Sequence, residues 1–191
     1  MSLIGHNNGP TMEAGASWRR HAWRRARSTL LPTLPIEVLR LRVRRAAEIG
    51  LDYKTYASIR AASGHDVVAF LFSTNALRLL PARTPLSGPA LPEDRALRLA
   101  GLEAGRAALT RAPLTPDEVL ALAPGLIDTA SPGPRPFAGW SETRSALRTA
   151  LVQGKWPADG VVLIGETAEE RQWAAAGKLA FYLPAERYFA A

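Results

Sequence analysis

The sequence predicts an α+β or α/β domain, mostly helical, with a small sheet that includes a parallel βαβ pair near the carboxyl end. Three observations carry that prediction. Gly160-Val161-Val162-Leu163-Ile164-Gly165 is an apolar run of strand length. Thr167-Ala168-Glu169-Glu170 then opens a helical stretch with a capping box, and Gly177 stops it before a second strand from Lys178 to Leu183. His65-Asp66-Val67-Val68-Ala69-Phe70-Leu71-Phe72 is a further apolar run, rich in β-branched and aromatic residues. Strand, helix and strand in so short a space imply parallel strands joined by a right-handed crossover.

The other elements follow in chain order. Residues 1–15 hold turn formers without apolar periodicity and read as a flexible tail ahead of a single domain over 16–191. Ser17 suits the cap of a basic amphipathic helix from Trp18 to about Leu31. A second helix is expected from Pro35 to Ile49, although Leu39 to Arg44 alternates as a strand does. A third runs from Tyr53 to Ala62 and stops at Ser63-Gly64. The run at 67–72 reads as a strand followed by a helical turn, with a buried helix to Leu80 left open, because periodicity does not separate the two. Residues 81–92 and 131–139 are Pro-rich connections. Helices are expected over Glu93–Leu109, from the capping box at Thr115-Pro116-Asp117-Glu118 to Ala123, and over Glu142–Gln153.

The 191 residues carry a net charge of +7 and no cysteine. The missing thiols exclude a disulfide framework, thiolate metal sites and a cysteine nucleophile, and fit a reducing compartment. No apolar stretch is long enough to span a bilayer, and the first fifteen residues lack the pattern of a secretory leader, so the expected location is the cytoplasm. The charge is not evenly spread. Residues 1–60 hold 11 Lys and Arg against 4 Asp and Glu, whereas residues 61–191 hold 13 of each.

That asymmetry is the strongest functional signal. Arg19, Arg20, Arg24, Arg25, Arg27, Arg40, Arg42, Arg44, Arg45, Lys54 and Arg60 fall within the basic helical region 18–60, with Trp18 and Trp23 interleaved. Guanidinium forks suit phosphate, and tryptophan rings stack on bases. The expected role is binding of nucleic acid or another polyanion. The competing reading docks the tryptophans on a core and leaves the arginines solvated. A helix-turn-helix with its turn at Gly50 would present Lys54, Thr55, Ser58 and Arg60 to a DNA groove, a pattern shared by many unrelated helix pairs.

A second class of function is a small enzyme or small-ligand binder. Its site would lie at the carboxyl ends of the strands at 67–72 and 160–165, gathering His65, Asp66, Ser73, Asn75 and Glu166. A third is a protein–protein adaptor or assembly factor. No phosphate loop, dinucleotide fingerprint, nucleophile elbow or metal-ligand spacing is present, so the sequence implies no cofactor and no catalytic set. The segment Ile4-Gly5-His6-Asn7-Asn8-Gly9-Pro10 resembles a short G-H-N-x-G-P segment near the amino terminus of uncharacterised bacterial proteins. The resemblance covers seven residues and implies neither a fold nor an activity.

Overall fold

A computed structural model describes residues 34–79 and 91–190, together with Trp18 and Ala22. The chain divides into two units, Met1–Leu39 and Arg40–Ala191, and the fold described here is that of the second. The expected tail over 1–15, most of the expected helix from Trp18 to Leu31 and residues 81–90 of the first Pro-rich connection lie outside the described residues.

The described elements are α1 (Ile36–Glu48), α2 (Tyr53–Ser63), β1 (Ala69–Ser73), α3 (Glu93–Ala100), β2 (Gly105–Thr110) and α4 (Pro116–Leu122). They continue with β3 (Thr129–Pro132), α5 (Trp140–Gly154), β4 (Val161–Gly165), α6 (Ala168–Ala176), β5 (Phe181–Pro184) and α7 (Ala185–Phe189). The five strands form one wholly parallel sheet in the order β3-β2-β1-β4-β5. The fold class is therefore α/β, and the expected parallel pair near the carboxyl end is β4 with β5.

Both faces of the sheet are covered, which is why its central strands read as unbroken apolar runs. Phe70, Phe72, Val162 and Ile164 point to one face, where they meet Ile49, Tyr56, Ile59, Leu99, Val119 and Tyr188. Leu71, Val161 and Leu163 point to the other, against Leu147 and Leu151 of α5 and Trp173 of α6. Tyr188 closes the first core with its ring centroid 5.5 Å from that of Phe70.

Local signals set most boundaries. Asp52 caps α2 by accepting from the Thr55 backbone N–H at 2.9 Å, and Gly64 ends the helix at φ 78°, a conformation that costs glycine little. Complete capping boxes open α4 at Thr115 and α6 at Thr167. The apolar run at 67–72 is a strand followed by turns, not a helix to Leu80.

The structure corrects two expectations. Glu93 to Leu109 is not one helix: α3 stops at Gly101 and the chain re-enters the sheet as β2. Gly105 opens β2 because a Cβ there would meet the Trp156 ring at 2.4 Å. Ala107 and Ala108 then lie buried on opposite faces, where layer packing outweighs alanine's helical preference. The connection at 131–139 is likewise shorter than expected, since its first two residues end edge strand β3. Pro132 is tolerated at the end of such a strand.

Candidate functional site

The chain lays down β1, β2 and β3 in one direction, then returns to place β4 on the other side of β1. The strand order therefore reverses between β1 and β4, and in an open parallel sheet the crevice beyond the carboxyl ends at such a point is where ligands bind.

Three strand ends supply polar groups there. Ser73 ends β1 and is buried, and its Oγ accepts from the backbone N–H of Ala76 at 3.1 Å. The hydroxyl is thereby committed to shaping the turn. Thr74 donates its backbone N–H to the Leu109 carbonyl at 3.1 Å, and its Oγ1 accepts from the Arg111 N–H at 3.2 Å, tying the ends of β1 and β2 together. Asn75 reaches across the reversal, where its Nδ2 donates to Glu170 Oε1 at 2.8 Å.

Glu170 is the hub of this face. Its other oxygen, Oε2, accepts from the backbone N–H groups of Glu166 at 2.6 Å and Thr167 at 2.9 Å. The Arg111 guanidinium lies 3.9 Å from Oε1 and pairs more closely with Glu169, at 3.0 Å. Arg111 also lies over the Trp173 ring, 5.4 Å from its centroid. A fully buried carboxylate is costly unless donors replace water, and here the Asn75 side chain and the loop backbone do so. Gly165 permits the approach, because a Cβ at that position would stand 2.8 Å from the Tyr182 ring and 3.0 Å from Glu170. Burial, with the Glu170 charge adding to it, raises the Tyr182 phenol above its ordinary value.

Glu166 differs from its neighbours. It is exposed at the end of β4, and its carboxylate makes no hydrogen bond or ion pair among the described residues. Two hollows flank the Arg111–Glu169 pair. One, of about 430 Å³, is walled by Arg111, Leu114, Pro132 and Arg135; the other, of about 360 Å³, by Glu169, Gln172, Trp173, Phe137 and Trp140.

Of the five residues expected to gather, three do and two do not. Ser73, Asn75 and Glu166 share the carboxyl end of the sheet. His65 and Asp66 precede β1 and so lie at its amino end. There Asp66 accepts from the Tyr56 hydroxyl at 2.8 Å and the Val67 N–H at 2.8 Å, with Arg45 at 3.4 Å and Arg60 at 3.8 Å. His65 lies 3.3 Å from Asp159. The reason is topological: Ser73 lies eight positions beyond His65 along mostly extended chain, so one strand cannot deliver both to one pocket.

The basic region is only partly within view. Arg19, Arg20, Trp23, Arg24, Arg25 and Arg27 lie outside the described residues, and Trp18 is exposed. Arg40, Arg44 and Lys54 are exposed on α1 and α2. Arg45 and Arg60 are drawn into the structure by Asp66, and Arg45 also donates to the Val67 and Glu103 carbonyls at 3.1 and 3.0 Å. In the α1–α2 pair, Thr55 is buried rather than groove-facing, and its Oγ1 bonds Asp52 and Arg187. Ser58 turns back on the Thr55 carbonyl at 2.8 Å.

Comparison with protein-family models, with curated proteins and with solved structures finds no match to this chain.

The residues that sequence reasoning missed are Arg111 and the bridging role of Glu170. Glu170 stood out only as the last residue of a capping box. Its second oxygen is claimed by Asn75, 95 positions earlier, and no local pattern reports that pairing. Among the described residues no group of three or more His, Asp or Glu is placed to hold a metal ion, and no helix is long and apolar enough to cross a membrane.

Proposed function

We propose that this chain is a small-ligand-binding protein whose ligand sits at the carboxyl ends of β1 and β4. One observation carries the reading: the strand order reverses between these strands, and polar groups from three strand ends converge there. The open carboxylate of Glu166 suits a hydroxyl or ammonium group on the ligand. The aromatic and proline-lined hollows beside the Arg111–Glu169 pair suit an apolar body. The reading is of binding without covalent chemistry, since the two hydroxyls at the end of β1, those of Ser73 and Thr74, are buried and bonded.

The test is a titration of the ¹⁵N-labelled full chain with ethanolamine, glycerol and phenethylamine. Saturable shifts at residues 74–76, 110–112 and 165–170, weakened by Glu166→Gln, are expected. Saturation with shifts confined to other parts of the chain would overturn the proposal, as would no saturation by any probe.

A second reading has its own observation, the placement of the whole excess charge in residues 1–60. In that reading the segment 18–60 binds nucleic acid or another polyanion, with Arg40, Arg44 and Lys54 as its contribution from α1 and α2. Affinity for mixed duplex and single strands should then fall steeply with salt. Affinity that is flat across a salt series would remove this reading.

A further inference from the structure

A different cleft lies along α5, away from the β1–β4 crevice. It encloses about 400 Å³ and is lined by Ser141, Arg144, Ser145, Arg148, Gly177 and Lys178, over a floor of Leu151 and Ala158. Arg144 and Arg148 are one helical turn apart, so they rise from the same side of α5. Ser141 and Ser145 repeat the same spacing beside them. Lys178 comes from the turn between α6 and β5 and adds a third cation to the lining.

Two features bear on this cluster. Seven other arginines of this unit, Arg45, Arg60, Arg95, Arg106, Arg111, Arg135 and Arg187, pair with carboxylates. Arg144, Arg148 and Lys178 have no ion pair among the described residues, and no carboxylate lines the cleft. The second feature is the backbone at Lys178, which holds φ 52° immediately after Gly177. That left-handed conformation favours glycine, and this chain also holds it at Arg78, Phe137 and Lys155; at this position it carries a lysine that lines the cleft.

We infer that the α5 cleft binds the phosphate group of a small phosphorylated molecule. Three cations and two hydroxyls around one concavity match a compact dianion with several acceptor oxygens. Guanidinium forks supply paired donors, the ammonium adds a point charge, and the apolar floor receives the carbon atoms of an ester. A duplex backbone presents its phosphates along a convex rod, whereas these groups line a small surface concavity.

The full chain, ¹⁵N-labelled, is titrated with inorganic phosphate, glycerol 3-phosphate and glycerol at constant ionic strength. Saturable shifts at residues 141–148 and 177–178 are expected with both phosphates and not with glycerol. Tighter binding of the ester than of inorganic phosphate supports a phosphorylated metabolite, and equal binding supports the free anion through the same chemistry. The double variant Arg144→Gln/Arg148→Gln lies on an exposed face and should fold normally, with affinity lowered about tenfold or more. Lys178→Gly separates binding from folding: glycine relaxes the backbone there, so the melting temperature should hold or rise while phosphate affinity falls. Absence of saturation with either phosphate overturns the inference. So does undiminished affinity in the double variant, or binding at this cleft by duplex DNA but by neither small phosphate.

Discussion

Glu170 makes the clearest physical demand in the molecule. Its buried carboxylate has given up water, and Asn75 and the backbone of Glu166 and Thr167 replace it. Asn75→Ala removes one donor and leaves Oε1 short of a partner inside the protein. The expected cost is about 1–3 kcal/mol, read as a lower midpoint in urea. Glu166→Gln, on an open carboxylate, should change stability by less than about 0.5 kcal/mol. Equal effects of the two substitutions would mean that the Asn75 bridge does not hold the crevice. Tyr188 makes a second demand. Burial pushes its phenol up from 10.0 to about 12, with the nearby Arg98 guanidinium pulling back part of that rise. The folded state then keeps the proton more tightly than the unfolded chain does. The associated stability is whole below pH 10 and is lost as pH rises through about 12. Tyr188→Phe should abolish that alkaline loss, seen by comparing unfolding curves at pH 9 and pH 11.5. At this scale the sequence showed which residues follow the apolar runs, so Ser73, Asn75 and Glu166 were legible. The Asn75–Glu170 bond was not, because it joins residues 95 apart.

Among the elements, the ones read correctly carry their signals locally. Thr115 and Thr167 each sit three residues before a glutamate, and both capping boxes are complete in the structure. The two missed strands, β2 and β3, lack such punctuation. The run Arg106-Ala107-Ala108-Leu109 is as good a helix as a strand until the layers on both sides of the sheet are known. Thr129 to Pro132 is four residues long and ends in proline, so it passes for a loop. The same local logic yields a test of what a cap does for the site. Thr167→Ala and Thr115→Ala should each cost about 1 kcal/mol, since each removes a side-chain acceptor from a helix start. Only Thr167→Ala should also move the Asn75 side-chain amide resonance, because only the α6 cap shares its glutamate with β1. If Thr115→Ala moves that resonance equally, the coupling runs through the whole domain rather than through Glu170.

In the molecule as a whole, the order β3-β2-β1-β4-β5 puts β1 at the centre of the sheet, with all five of its residues buried. Its backbone is paired on both sides, as are those of β2 and β4, whereas β3 and β5 each leave one edge without a strand partner. Amides of Phe70–Phe72, Ala107–Leu109 and Val162–Ile164 should therefore be the slowest to exchange with solvent, opening only with global unfolding. Those of β3 and β5 should exchange through smaller local openings. Native-state hydrogen exchange at increasing denaturant checks the ranking, and edge amides as protected as those of β1 would refute it. The ranking bears on both proposed sites. The β1–β4 crevice stands on two of the three strands paired on both sides, so its polar groups are held by a scaffold that opens only when the protein unfolds. The α5 cleft rests instead on one helix and the turn before an edge strand. Saturating phosphate should for that reason slow exchange around Lys178 and β5, and, because it binds only the folded state, it should also slow the amides of β1, which exchange through global unfolding.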